Sequence, residues 1–120
     1  MKEEVEKWIK LSEEDFATAK ANLKIKKYRF ASYLCQQAAE KALKALLLKK
    51  TGKIIKIHDL VKLGKKVEIE EKFLESLDKL THTYVESRYP DTPQGKYTID
   101  ETKEDIKIAK GVIKWVKQNI

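Results

Sequence analysis

Apolar residues at helical spacing run almost unbroken along this chain, and they constrain its fold more than any other feature. Val5, Trp8, Ile9, Ser12, Phe16, Ala19 and Leu23 step by three or four, which places them on one face of a helix over about residues 3–24. Ser12-Glu13-Glu14-Asp15 has the pattern of a helix cap. The stripe passes straight through it, so one continuous helix is expected. A second helix is predicted over about 29–50, with Phe30, Leu34, Cys35, Ala38, Ala42, Ala45 and Leu46 inward. Its alanines let a neighbouring helix come close. Thr51-Gly52 ends it, with Gly52 in the usual left-handed cap position.

Further along, His58-Asp59-Leu60-Val61-Lys62-Leu63 reads as a short helix stopped by Gly64. A third long helix is predicted over about 68–87, with Phe73, Leu77, Leu80 and Tyr84 inward. Pro90 ends it, because the residue before a proline disfavours the helical region. After a polar loop, Thr98-Ile99-Asp100-Glu101 fits a capping box and opens the last helix. Ile99, Ile106, Ala109, Ile113, Val116 and Ile120 form its stripe. Lys103, Lys107, Lys110, Lys114 and Lys117 form a second, basic face, which is the pattern of plain solvation. Four long helices joined mostly by short loops predict an all-α fold. The expected form is an antiparallel four-helix up-and-down bundle, with the extra short helix between helices two and three. At 120 residues, residues 1–120 are expected to form one domain.

The counts agree with that class. Only 4 Gly and 2 Pro leave too few turn residues for a sandwich or barrel. The single cysteine, Cys35, excludes an intrachain disulfide and a cysteine-rich zinc site, and it falls on the core side of its helix. No apolar run nears the roughly 18 residues that span a bilayer. The acidic start Met1-Lys2-Glu3-Glu4-Val5-Glu6 has no apolar region of a secretory signal. A cytoplasmic protein that binds no membrane is the expectation.

The net charge is +7, and it comes from 24 Lys against 2 Arg, Arg29 and Arg88. Lysine excess gives a salt-sensitive attraction to polyanions rather than base-specific reading. A composition rich in Lys and Glu and poor in Asn and Gln also resembles a heat-adapted surface. The charge is uneven: residues 41–66 hold nine lysines and one carboxylate, Asp59, whereas residues 1–19 hold three lysines and six acids. The middle of the chain is the expected polyanion-facing side.

Two groups of residues have the types needed for chemistry. Tyr33, Gln37, Glu40 and Lys44 fall within roughly 60° of one another at about 100° per residue. That line of hydroxyl, amide, carboxylate and ammonium can present donors and acceptors to a ligand. Glu40 and Lys44 equally form an ordinary i,i+4 pair. The second group is Tyr84, Arg88 and Tyr89. An arginine on a partly inward face beside a helix-ending proline either binds phosphate between tyrosines or ties down helix carbonyls. His58, after the basic linker, can donate to a phosphate, exchange a proton, or simply bridge backbone groups. His82 has no assigned role. The chain has no phosphate-cradling glycine loop and no metal-binding His/Cys cluster, so no metal and no cofactor is expected.

The string Tyr33-Leu34-Cys35-Gln36-Gln37-Ala38-Ala39-Glu40-Lys41-Ala42-Leu43-Lys44-Ala45-Leu46-Leu47 resembles the second-helix signature of the HEPN family. Trp8, Asp15 and Ala19 resemble its first helix, and His58-Asp59-Leu60 with Leu63 its short "H-x-L" element. Tyr84 with Arg88-Tyr89-Pro90-Asp91 resembles its "Y-x-x-x-R-Y-P" corner. The resemblance spans nearly the whole chain. It implies a helical bundle of four to five helices, often a homodimer, and commonly a partner to a minimal nucleotidyltransferase encoded nearby. Many HEPN proteins are toxin ribonucleases in which an Arg is followed, after four to six residues, by a His. Here Arg88 is followed by Tyr89-Pro90-Asp91-Thr92-Pro93-Gln94-Gly95, and Arg29 by residues 30–36, with no histidine in either stretch.

The resemblance and the missing histidine together favour a protein without catalysis of its own. It is expected to bind a nucleotide or a nucleotidyltransferase partner, in a toxin–antitoxin-like system. The ligand-binding residues are then Tyr33, Gln37, Glu40, Lys44, His58, Tyr84, Arg88 and Tyr89. The runner-up is a toxin-type, metal-independent ribonuclease using Arg88 and His58. A third alternative is a lysine-driven binder of RNA or DNA without chemistry.

Overall fold

The computed structural model describes residues 2–87 and 97–120, and the side chains of all of these except 84–87. The helices among them are α1 (Lys2–Lys24), α2 (Tyr28–Thr51), α3 (Leu60–Lys66), α4 (Leu74–Ser87) and α5 (Ile99–Asn119). A 3₁₀ turn over Glu71–Phe73 precedes α4, and no strand occurs among the described residues.

The first helix is continuous, as its stripe requires. Val5, Ser12 and Ala19 are buried, and Trp8, Ile9, Phe16 and Leu23 are half-buried between them. Ser12 starts no new helix. Its hydroxyl donates to the Ala38 carbonyl at 2.6 Å, which fastens α1 to α2 in the dry interior. Val5 packs with Leu48 at the other end of the same pair, so the two helices run in opposite directions.

The second helix lies at the centre of the molecule. Every residue from Ala42 to Leu48 is buried. A helix covered all round meets neighbours on every side, and its alanines keep those neighbours near. Gly52 sits at φ 74 and its N–H returns to the Leu48 carbonyl at 2.8 Å, the left-handed cap expected there. One inward assignment fails. Phe30 is 60% exposed, while Ala31 and Ser32 take the buried positions of that first turn. The buried arc is set by which neighbours lie opposite, and it begins one residue later than the apolar pattern suggests.

Asp59 caps α3 by accepting from the Val61 and Lys62 N–H groups at 2.9 and 3.2 Å. The Leu60 N–H donates to the Thr81 hydroxyl of α4 at 3.0 Å. Gly64 does not stop this helix, contrary to expectation. The helix runs through it to Lys66, and the turn comes at Glu68, whose φ is 59. Gly64 is there for closeness: a Cβ would lie 2.9 Å from both Ile69 Cγ2 and Leu77 Cδ1. Gly64→Ala is therefore expected to destabilise by about 1–2 kcal/mol in urea unfolding, the overpacking outweighing the better helix propensity of alanine.

The turn at Glu68 also corrects the next helix. It does not begin at Glu68. The left-handed residue and the extended Glu70 (φ −55, ψ 136) delay it until the 3₁₀ turn and Leu74. Leu77 and Leu80 are buried as predicted, and Phe73 meets Trp115 of α5 with ring centroids 6.4 Å apart. At the other end of that pair Lys79 reaches Glu101 at 3.1 Å.

Thr98 caps α5 by accepting from the Glu101 N–H at 3.2 Å. Ala109, Ile113 and Val116 are buried, whereas Ile99 is 44% exposed and falls outside the stripe it was assigned to. The five lysines of the basic face are all exposed. Ser32 lies 3.5 Å from Thr102, and Ile120 packs with Ala45 and Leu48, so α5 follows α2 in the same direction. Cys35 is fully buried, and burial pushes its thiol pKa up, out of the reactive range. No described helix is long and apolar enough to cross a membrane.

Candidate functional site

The polar line read from the second helix is gathered around one carboxylate. Glu40 and Lys44 sit one turn apart on α2, and α1 and the segment before α3 close over them. They are 5% and 7% exposed, so their pairing is an interior one. The Lys44 ammonium lies 2.9 Å from Glu40 Oε2 and 6.0 Å from the centre of the Trp8 ring on α1. Gln36, fully buried one turn earlier, donates to Glu40 Oε1 at 3.0 Å and to the His58 carbonyl at 3.3 Å. Gln37 donates to Gln36 Oε1 at 2.7 Å. Tyr33 and Gln37 are half-buried on the same helix.

His58 completes the cluster. Its Nδ1 lies 3.0 and 3.2 Å from the two Glu40 oxygens, and its side chain is 58% exposed. Burial by itself would raise the Glu40 pKa. Hydrogen bonds from Gln36, Lys44 and His58, with the Lys44 charge, outweigh it and hold the carboxyl below its ordinary value. An ionised carboxylate only accepts. Nδ1 must therefore carry the proton it donates to Glu40, and the ring is oriented with its other nitrogen away from that carboxylate.

Sequence reasoning brought Tyr33, Gln37, Glu40, Lys44 and His58 to one site, and in the structure Lys44 and His58 each contact Glu40. It missed Gln36, which supplies the bond between helix and linker. The signal was present: Gln36 is four residues before Glu40, the spacing of a side-chain pair on a helix. Arg88 and Tyr89 lie outside the described residues, as does the Tyr84 side chain.

A second polar group went unread. Asp105 is 2% exposed on α5, and its Oδ1 is 3.7 Å from Lys79 Nζ and accepts no hydrogen bond. Burial raises its pKa to about 6, against the opposing pull of Ser32 and Lys79. A carboxylate one turn before Ala109, within an apolar stripe, was the available clue.

The lysine-rich middle is partly used up inside the protein. Lys44 is buried against Glu40, Lys41 pairs with Asp15 on α1, and Lys50 donates to the Val67 carbonyl at 2.9 Å. Among the described residues no group of three or more His, Cys, Asp or Glu is placed to hold a metal ion.

Comparison with known proteins agrees with this architecture. A family model described as HEPN domain matches residues 5–119. The chain is 31% identical to a protein of Methanocaldococcus jannaschii named "Putative toxin MJ1304", over 92% of this chain and 84% of that protein. A crystal structure of TT1696 from Thermus thermophilus superposes with a TM-score of 0.89 at 26% identity, over 97% of this chain and 98% of the other. The crystal structure of ST0689, an archaeal HEPN homologue, gives 0.79 at 31% identity over 96% of each chain. With the family pattern matched from the first helix to the last, the chain belongs to the HEPN family.

Proposed function

We propose that this protein binds a nucleotide or a minimal nucleotidyltransferase partner through His58 and the groups around it, as one half of a toxin–antitoxin-like pair. The observation that carries this reading is the Glu40 hub. It is buried and saturated by Gln36, Lys44 and His58, so it acts as a fixed mount for a half-exposed imidazole. An imidazole held in one tautomer can serve as a phosphate donor or a partner contact. In this reading Tyr33 and Gln37 extend the polar line along α2, and Glu40 and Lys44 position the imidazole. Tyr84, Arg88 and Tyr89 belong to the site by family resemblance. A cytoplasmic homodimer, built on four long helices arranged up and down, is part of the same proposal. The relative named as a toxin supports the toxin–antitoxin setting.

The test is co-expression with a nucleotidyltransferase encoded beside it, together with thermal-shift assays against ATP and GTP. A stable complex, or a nucleotide-dependent rise in melting temperature lost in His58→Ala, is the expected result. No complex and no shift would reject the reading.

The same oriented His58 favours a second reading, a toxin-type ribonuclease. It predicts cleavage of transfer or messenger RNA without added metal, abolished in both His58→Ala and Arg88→Ala. Intact RNA after prolonged incubation removes it.

A further inference from the structure

The corner between α1 and α2 is not an ordinary solvated turn. Residues 25–30 read Ile25-Lys26-Lys27-Tyr28-Arg29-Phe30, apolar and aromatic groups interleaved with three cations and no carboxylate. The first turn of α2 adds no acid of its own. Ile25 is 65% exposed and Phe30 is 60% exposed. The corner is a turn closed by backbone hydrogen bonds. Lys26 holds the left-handed φ of 63, and the Lys26 and Lys27 N–H groups return to the carbonyls of Leu23 and Asn22 at 3.1 and 2.8 Å. Lys26, Lys27, Tyr28, Arg29 and Phe30, with Tyr97 from the approach to α5, line a cavity of about 330 Å³.

An exposed phenylalanine sharing a cavity with three cations matches a particular kind of partner. A strand of nucleic acid with unpaired bases alternates flat π faces with phosphates. Proteins that hold such strands combine aromatic stacking platforms with basic side chains that follow the backbone. A duplex hides its base faces and would leave Phe30 idle. An acidic peptide without aromatic residues would meet the cations but offer no flat side chain to the ring. Tyr28 lines the same cavity, and its phenol is the kind of group that can pair with a ribose 2′-hydroxyl.

We propose that this corner docks single-stranded RNA, with Phe30 stacked on a base and Lys26, Lys27 and Arg29 holding adjacent phosphates. Phe30 precedes Glu40 by ten residues on α2, about 15 Å along the axis. The surface is therefore separate from the His58 cluster, and its assignment stands whether or not that cluster binds a nucleotide.

Fluorescence anisotropy with the full chain and a short labelled oligoadenylate RNA tests this. Three phosphate contacts predict that log affinity falls with log salt at a slope of about −2. Phe30→Ala is expected to bind roughly tenfold more weakly, and Phe30→Trp to keep the affinity. The triple variant K26Q/K27Q/R29Q should lose most of the salt dependence. Lys26, Lys27 and Phe30 are exposed and Arg29 is half-buried, so each variant's circular dichroism melting is compared with the parent's, and a loss of affinity at unchanged melting is a loss of binding. Unchanged affinity in Phe30→Ala overturns the proposal, as does equal binding of duplex RNA or polyglutamate. Equal binding of oligodeoxyadenylate overturns the choice of RNA over DNA. No binding at low salt removes the surface altogether.

Discussion

Glu40→Ala is expected to destabilise the protein by about 3–5 kcal/mol, a large share of the stability of a domain this size. The reason lies in what the substitution leaves behind. Lys44 would keep its ammonium in the interior with its Glu40 partner gone, and a buried charge without a counter-ion is among the most costly defects a fold can carry. Gln36 would lose its acceptor on Glu40 while fully buried. His58 would lose the carboxylate that ties the linker before α3 to α2. Lys44→Met should cost less, because Gln36 and His58 still donate to the carboxylate. The double variant Glu40→Met/Lys44→Met should recover part of the loss, since no charge is then stranded. Urea midpoints at constant slope measure all three. If Glu40→Ala lowers stability by under about 1 kcal/mol, the cluster is not the structural mount described above.

Asp105 predicts an effect of similar size with the opposite dependence on pH. Its carboxyl titrates at its ordinary 3.8 in the unfolded chain and near about 6 in the folded protein. Below the lower value both states hold the proton, and Asp105 contributes no pH dependence. Between the two values the folded protein holds more protons than the unfolded chain, so raising the pH removes stability. Above the higher value the whole penalty is present, about 3 kcal/mol for this shift. Asp105→Asn should lack that decline, so its stability relative to the parent should rise between pH 4 and pH 7 by about that amount. Glu40 slopes the other way. Its lowered pKa gives stability that is present above the ordinary carboxylate range and lost as pH falls through its folded value. Equilibrium unfolding of the parent and the two single variants across this range separates the contributions. A parallel pair of curves for the parent and Asp105→Asn would contradict the assignment.

These two carboxylates show why similar residues end differently. Both lie on long helices and both are nearly fully buried. Glu40 has donors from its own helix at the i−4 and i+4 positions, Gln36 and Lys44, and one from the linker. Asp105 depends on groups from other helices, Ser32 of α2 and Lys79 of α4, and Lys79 divides its charge with Glu101. A site assembled along one helix is therefore legible in sequence, whereas one assembled across three helices is not.

The sequence alone determined the helical class, because apolar positions recurring every three or four residues admit one secondary structure. It also determined two ends that depend on local chemistry, Gly52 after α2 and Thr98 before α5. It led to the family through the α2 signature, and it placed Gln37, Glu40 and Lys44 on one side of that helix. The tertiary structure decided what periodicity cannot. Spacing gives angles around a helix axis but not what stands opposite each angle. So Phe30 turned outward, Glu40 and Lys44 went inside, and Gly64 proved to be a point of close approach between α3 and α4 rather than a stop. Burial belongs to pairs of elements, and only their packing against one another could assign it.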